Sequence, residues 1–163
     1  IPQKIFRING RVPWPVHFTS KVRGVEKIQK GIMCDPGDNI GVYIQARNGI
    51  VMGNNVGISP GCKIISSNHN NDDHWKHDSA PPIQIGDNVF IYANSVVLPG
   101  VQIGDNVVIG AGSVVTKDIP SNSIAVGNPC RVIKEKEPYA GRFDPEEFNR
   151  KIPEKFKAFF NMD

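Results

Sequence analysis

The chain has 163 residues, 8% aromatic and 21% charged, with a formal charge of +3. That length suits one domain, and so few rings suit a narrow interior filled by Ile and Val. The mild charge lacks the block of like charges a nucleic-acid surface needs, and no apolar run is long enough for a membrane helix.

The first segment, 1–21, is rich in Pro and Arg and carries Arg7, Arg11, Pro13, Trp14, Pro15 and His17. It reads as an extended lead-in covering the open end of whatever follows. From Val22 onward aliphatic residues recur every six positions: Val22, Ile28, Cys34, Ile40, Ala46, Met52, Ile58 and Ile64, then Ile85, Ile91, Val97, Ile103, Ile109 and Val115. A helix repeats its apolar face near 3.6 residues and a strand near 2, so a six-residue period belongs to a larger unit. Hexapeptide repeats of this kind mark a parallel β-helix, an all-β solenoid.

Four residues after each ladder position stands a second inward candidate: Ile44, Ile50, Val56 and Cys62 upstream, and Val89, Ser95, Val101, Val107, Ser113 and Ile119 downstream. Between the two fall corner residues such as Gly53-Asn54-Asn55, Gly86-Asp87-Asn88 and Gly104-Asp105-Asn106, types that tolerate tight or left-handed backbone. A β-sandwich also has frequent turns, but its turns do not keep one phase through six successive units. Cys34 and Cys62 fall on inward positions. With Cys130 they leave an odd thiol and no CxxC pair, which fits a reducing, cytoplasmic setting.

The ladder breaks between Ile64 and Ile85, where 65–82 must leave the coil as an excursion holding His69, His74 and His77. A polar loop on a regular scaffold is a usual place for function, although loops are also polar for trivial reasons. The final segment, 134–163, carries a helix start signal at Asp144-Pro145-Glu146-Glu147, with Phe148, Ile152, Phe156 and Phe159 or Phe160 as an apolar stripe. A β-helix over 22–133, with a lead-in before it and a helical extension after it, is the organisation expected.

From Asn39 to Lys134 the sequence resembles the hexapeptide-repeat acyltransferases, particularly the maltose, galactoside and xenobiotic O-acetyltransferase branch. The resemblance rests on motifs in continuous order. Asn68-His69 comes first, then Ile85-Gly86-Asp87-Asn88-Val89-Phe90-Ile91 and Pro99-Gly100-Val101. Ile109-Gly110-Ala111-Gly112-Ser113-Val114-Val115-Thr116-Lys117-Asp118-Ile119-Pro120 follows, and Gly127-Asn128-Pro129-Cys130-Arg131-Val132-Ile133 closes the series. The resemblance implies a left-handed parallel β-helix of about 18 residues per coil. It also implies a homotrimer with acetyl-CoA between subunits, and a small-molecule or glycan acceptor.

The same resemblance puts the catalytic histidine at His69, and imidazole is well matched to general-base work near neutrality. Ala93, Ala111, Thr116, Lys117, Arg131 and Lys134 match positions lining the CoA groove. Gln45, Phe90 and Trp75 are the acceptor-side candidates, and an inward structural role for Phe90 is the alternative. Ala93 stands where a Ser is common, Phe90 where a Trp is common, and Lys134 where an Arg is common. The residues before Val22 look extended where the maltose-type branch has a helical region, which makes a cell-envelope or capsular glycan intermediate an equal candidate beside simple sugars. Two rivals share the scaffold. A γ-type carbonic anhydrase needs three zinc-binding histidines, and His69 and His74 have the spacing of two, but the expected upstream histidine is absent from the coils; no metal is expected. A non-catalytic solenoid module is the other rival.

Overall fold

The computed structural model describes residues 9–141, together with Asp144, Glu146, Glu147 and Arg150. Fourteen short strands follow in chain order. They are β1 (Lys21–Arg23), β2 (Ile28–Lys30), β3 (Tyr43–Gln45), β4 (Ile50–Met52), β5 (Gly57–Ile58), β6 (Lys63–Ile65) and β7 (Ile83–Ile85). After the excursion's return come β8 (Phe90–Ile91), β9 (Val96–Val97), β10 (Gln102–Ile103), β11 (Val108–Ile109), β12 (Val114–Val115), β13 (Ser123–Val126) and β14 (Arg131–Glu135). Successive strands never pair with each other until the last two. Each instead pairs with the strand one coil away, giving three walls: β1-β3-β6-β9-β12, β2-β4-β7-β10 and β5-β8-β11-β13-β14. All the pairings are parallel except β13 with β14. The protein is therefore a three-walled parallel β-helix, and no helix among the described residues is long and apolar enough to cross a membrane.

Alternation within each strand explains why so thin a molecule folds. Ile83 and Ile85 are buried while Gln84 between them is exposed. Like residues then stack coil on coil: Ile44, Ile64, Val97 and Val115 on the first wall, and Ile58, Ile91, Ile109 and Ala125 on the third. Each buried aliphatic side chain contributes roughly 1.5–3 kcal/mol, so stability accumulates along the axis. Cys34, Cys62 and Cys130 are all buried and unbridged.

The corner between the second and third walls shows why its sequence reads Gly-Asx-Asn. Asn55, Asn88, Asn106 and Asn122 all adopt left-handed φ, between 55 and 57°. A Cβ on Gly53 would strike the Asp87 side chain and the Gly86 backbone; one on Gly86 would strike Asp105. The room so left is used by hydrogen bonds along the axis. Asp87 Oδ1 accepts from Asn54 N at 2.6 Å, Asp105 Oδ1 from Asp87 N at 2.7 Å, and Ser121 Oγ from Asp105 N at 2.9 Å. Asn side chains also pair across coils, Asn55 with Asn88 and Asn106 with Asn122.

Both ends are covered. Trp14 and Val16 of the lead-in join the core cluster, and Trp14 Nε1 donates to Pro36 O at 2.9 Å. Beneath them the buried Lys30 ammonium lies 3.0 Å from Asp35 Oδ1 and 5.6 Å from the Trp14 ring centroid, which compensates the loss of water. At the other end the chain leaves β14 and turns back along the Asn corner. Lys136 N donates to Asn122 O, Lys136 Nζ contacts Asn106 Oδ1, Asn106 Nδ2 donates to Glu137 O, and Asn55 Nδ2 donates to Tyr139 Oη.

Three details differ from the sequence reading. Ile40 is 51% exposed rather than inward, because β1 pairs with β3 at 22 positions' distance (Val22 with Ile44) and the extra residues form a widened corner. Strand β14 runs through Glu135, so the start of the expected helical extension is extended chain. Phe90 points outward, its ring lying against Gly57 and 4.9 Å from the Tyr92 ring, so the inward alternative fails. Asp144 Oδ1 does accept from Glu146 N and Glu147 N, as an N-cap would. Phe148, Ile152, Phe156, Phe159 and Phe160 lie outside the described residues.

Candidate active site

Ile64 pairs with Val97, 33 positions on, whereas Ile85 pairs with Ile103, 18 positions on. The surplus is the excursion, which leaves after β6 at the corner between the first and second walls and returns into β7. Its feet are tied to the coil. Asn48 Nδ2 donates to Ser66 O at 2.8 Å and to Asp78 O at 3.1 Å, and Asn48 N donates to Ser66 Oγ at 2.9 Å. Gln45 Nε2 donates to Ser67 O at 3.0 Å, which puts this acceptor-side candidate among the anchors of the loop. Pro82 packs over Gly49, a position at φ +94° that glycine suits.

Within the excursion the chain folds back on itself as a small hairpin. His69 and His77 form an antiparallel bridge, Asp78 N donates to Asn68 O and Asn70 N to Lys76 O. The reversal is made by Asn70, whose Oδ1 accepts from Asp72 N and Asp73 N, and by an ion pair of Lys76 with Asp73 at 3.0 Å. His69 is exposed, and its Nδ1 lies 2.6 Å from the His74 carbonyl oxygen. A carbonyl has no proton to give, so Nδ1 carries the hydrogen and, in the neutral ring, Nε2 bears the lone pair directed away from that contact. The His77 ring stands 4.2 Å from the His69 ring, centroid to centroid. Partial desolvation, then the Arg47 cation and His69 itself, lower the His77 pKa, so this ring favours the neutral form.

The sulfur chemistry is silent by comparison. Burial pushes the Cys34 thiol up to about 12 and raises Cys62 and Cys130 as well, leaving these thiols un-ionised near neutrality. Among the described residues no group of three or more His, Cys, Asp or Glu is arranged to hold a metal ion.

The remaining candidates fall in separate places on one chain. Ala93 and Ala111 stack at the corner between the third and first walls, with Gly112 N donating to Ala93 O at 2.8 Å. Thr116 and Lys117, both exposed, directly follow β12 at the corner between the first and second walls, the side from which the excursion leaves. Arg131 and Lys134 lie exposed on β14, and Arg131 Nη1 donates to Cys130 O at 2.7 Å. Trp75 sits in the hairpin, 95% exposed. Ala93 and Ala111 are thus a whole wall away from the histidine corner.

The sequence reading missed the His74 carbonyl and the stacked His77. The eight-residue separation of His69 and His77 means nothing until a turn lies between them. The turn signal Asn70-Asn71-Asp72-Asp73 was there to be read.

Comparisons with known proteins fit this geometry. Residues 82–117 match the family model described as bacterial transferase hexapeptide (six repeats). A galactoside acetyltransferase solved in complex with coenzyme A is 34% identical with a TM-score of 0.67, over 80% of this chain and 68% of that one. A hexapeptide-repeat acetyltransferase from Vibrio cholerae, solved with acetyl coenzyme A, is 27% identical with a TM-score of 0.60, over 77% and 66% of the two chains. A provisionally named acetyltransferase of Saccharomyces cerevisiae is 40% identical over 120 residues, 66% of this chain; the match spans 61% of that relative's length. Taken with the three-walled coil and its histidine-bearing excursion, the match to most of the galactoside acetyltransferase shows that the chain belongs to the hexapeptide-repeat acyltransferases, built on a left-handed parallel β-helix.

Proposed function

We propose that this chain transfers an acetyl group from acetyl-CoA to a hydroxyl of a sugar or glycan intermediate, with His69 as the general base. The observation that carries this reading is the contact between His69 Nδ1 and the His74 carbonyl, which leaves Nε2 as a proton acceptor at the rim of the coil. The acetyl-CoA and coenzyme A complexes of the two solved relatives support the donor.

A thioester is already activated, so the protein has two tasks. His69 Nε2 removes the acceptor's hydroxyl proton as its oxygen attacks the thioester carbonyl. The tetrahedral oxyanion then collapses, the C–S bond breaks, and the proton on Nε2 neutralises the departing thiolate. Backbone N–H groups are the natural donors to that oxyanion on a scaffold of corners. Lys117, Arg131 and Lys134 would pair with phosphate oxygens of the CoA. Ala93 and Ala111 would flank its pantetheine arm, where small side chains permit close approach. Phe90, Trp75 and Gln45 remain the acceptor-side candidates.

The separation of His69 from Ala93 and Ala111 across a full wall favours a homotrimer, in which a neighbour's corner meets the histidine. Reliance on acetyl-CoA points to the cytoplasm. The test is thiol release from acetyl-CoA across galactosides, maltose, nucleotide sugars and amines, run beside His69→Ala. Acceptor-dependent release that the variant loses supports the reading; a variant with near-normal turnover rejects His69 as the base.

A further inference from the structure

We propose that His77 is a positioning residue for His69, an imidazole stacked on the general base that holds its ring and stabilises its protonated form. This rests on the acyltransfer reading of His69. Three observations converge on the contact. The two residues are cross-strand partners in the excursion hairpin. Their ring centroids are 4.2 Å apart at an interplanar angle of 34°. Ser67 Oγ lies 3.4 Å from His77 Nδ1, so the edge of the ring is also engaged.

The groups facing His77 disfavour its protonation. Arg47 approaches from the corner after β3, His69 lies across the hairpin, and Asp78 and the Asn68 backbone flank it. Partial desolvation, the Arg47 cation and the charge His69 carries when protonated oppose its protonation and outweigh Asp78. When His69 takes the acceptor's proton, its new positive charge therefore meets a π face rather than a second cation. Were His77 protonated, two positive rings would stand in contact and His69 would be the weaker base.

Two measurements test this on the full chain. In an imidazole NMR titration, His77 in the His69→Gln variant should take up its proton at higher pH than in the wild type, because a like charge has been removed. Identical titration in both proteins overturns the proposal. In acetyl-CoA turnover with methyl β-galactoside as probe, His77→Ala should lower kcat about 10- to 100-fold while KM for acetyl-CoA stays within about twofold. His77→Phe, which keeps a ring but not the titration, should retain most of kcat at pH 8 and lose one ionisation from the acid limb. Wild-type kcat in His77→Ala, or a pH profile left unchanged by His77→Phe, overturns it. Coupled titration with no turnover by the wild type, on any acceptor of the panel, would instead sink the acyltransfer reading and the positioning role with it.

Discussion

The coils and the excursion are stabilised by opposite means. In the coils nearly every inward position is an aliphatic side chain stacked on another, such as Ile91 between Ile58 and Ile109, with few buried polar groups such as Lys30. In the excursion His69, Trp75 and Asp72 are exposed, and order comes from a short backbone hairpin together with side-chain bonds to backbone at Asn48, Gln45 and Asn70. The difference separates two jobs. The coil supplies rigidity that survives surface change, and the excursion holds a reactive group in water's reach on a few hydrogen bonds.

The strongest way to sharpen that contrast is His69→Ala. Turnover should fall about 10²- to 10⁴-fold, the usual contribution of a general base, while the melting temperature stays put. Ile91→Ala should do the reverse. It should cost about 2–5 kcal/mol by opening a cavity in a stack that cannot collapse, measurable as a lowered denaturation midpoint. Asn48→Ala lies between, since it frees Ser66 O and Asp78 O from the coil. Turnover should drop roughly tenfold with about 1–2 kcal/mol or less of stability lost; a loss of stability without a loss of rate would break the division of labour. Alkaline pH should weaken the coil. Cys34 has a folded pKa of about 12, above the ordinary thiol value of 9.0, so the stability this burial protects is intact below 9. It is lost as pH rises toward 12, because the unfolded chain ionises first; denaturation midpoints measured from pH 8 to 11 check the sign. Trp75→Ala should be the mildest change, within about 0.5 kcal/mol, with any effect confined to acceptor KM.

How much could be read beforehand follows the same divide. The period of six is imposed by a wall-corner-wall geometry repeated without change from Ile85 to Val115, so inward residues there were legible one by one. It misplaced Ile40 because an insertion of residues in the first coil keeps an aliphatic at the right count but on the wrong side. Phe90 was ambiguous because an aromatic between Val89 and Ile91 fits either face until the glycine across from it, Gly57, is seen to leave space. The hairpin was least legible. His69 stood out by resemblance, but its backbone carbonyl partner leaves no residue-type signature, and the His77 contact depends on a register that only a folded turn creates.

One feature reaches further than its size suggests. Solenoids generally behave as strings of nearest-neighbour units that can fray from either end. Here the segment from Lys136 to Tyr139 fastens the final coil to Asn106 and to Asn55, the last a link between residues 84 apart. Such a buckle couples turns that never touch each other. Opening the C-terminal end therefore breaks contacts on several turns at once.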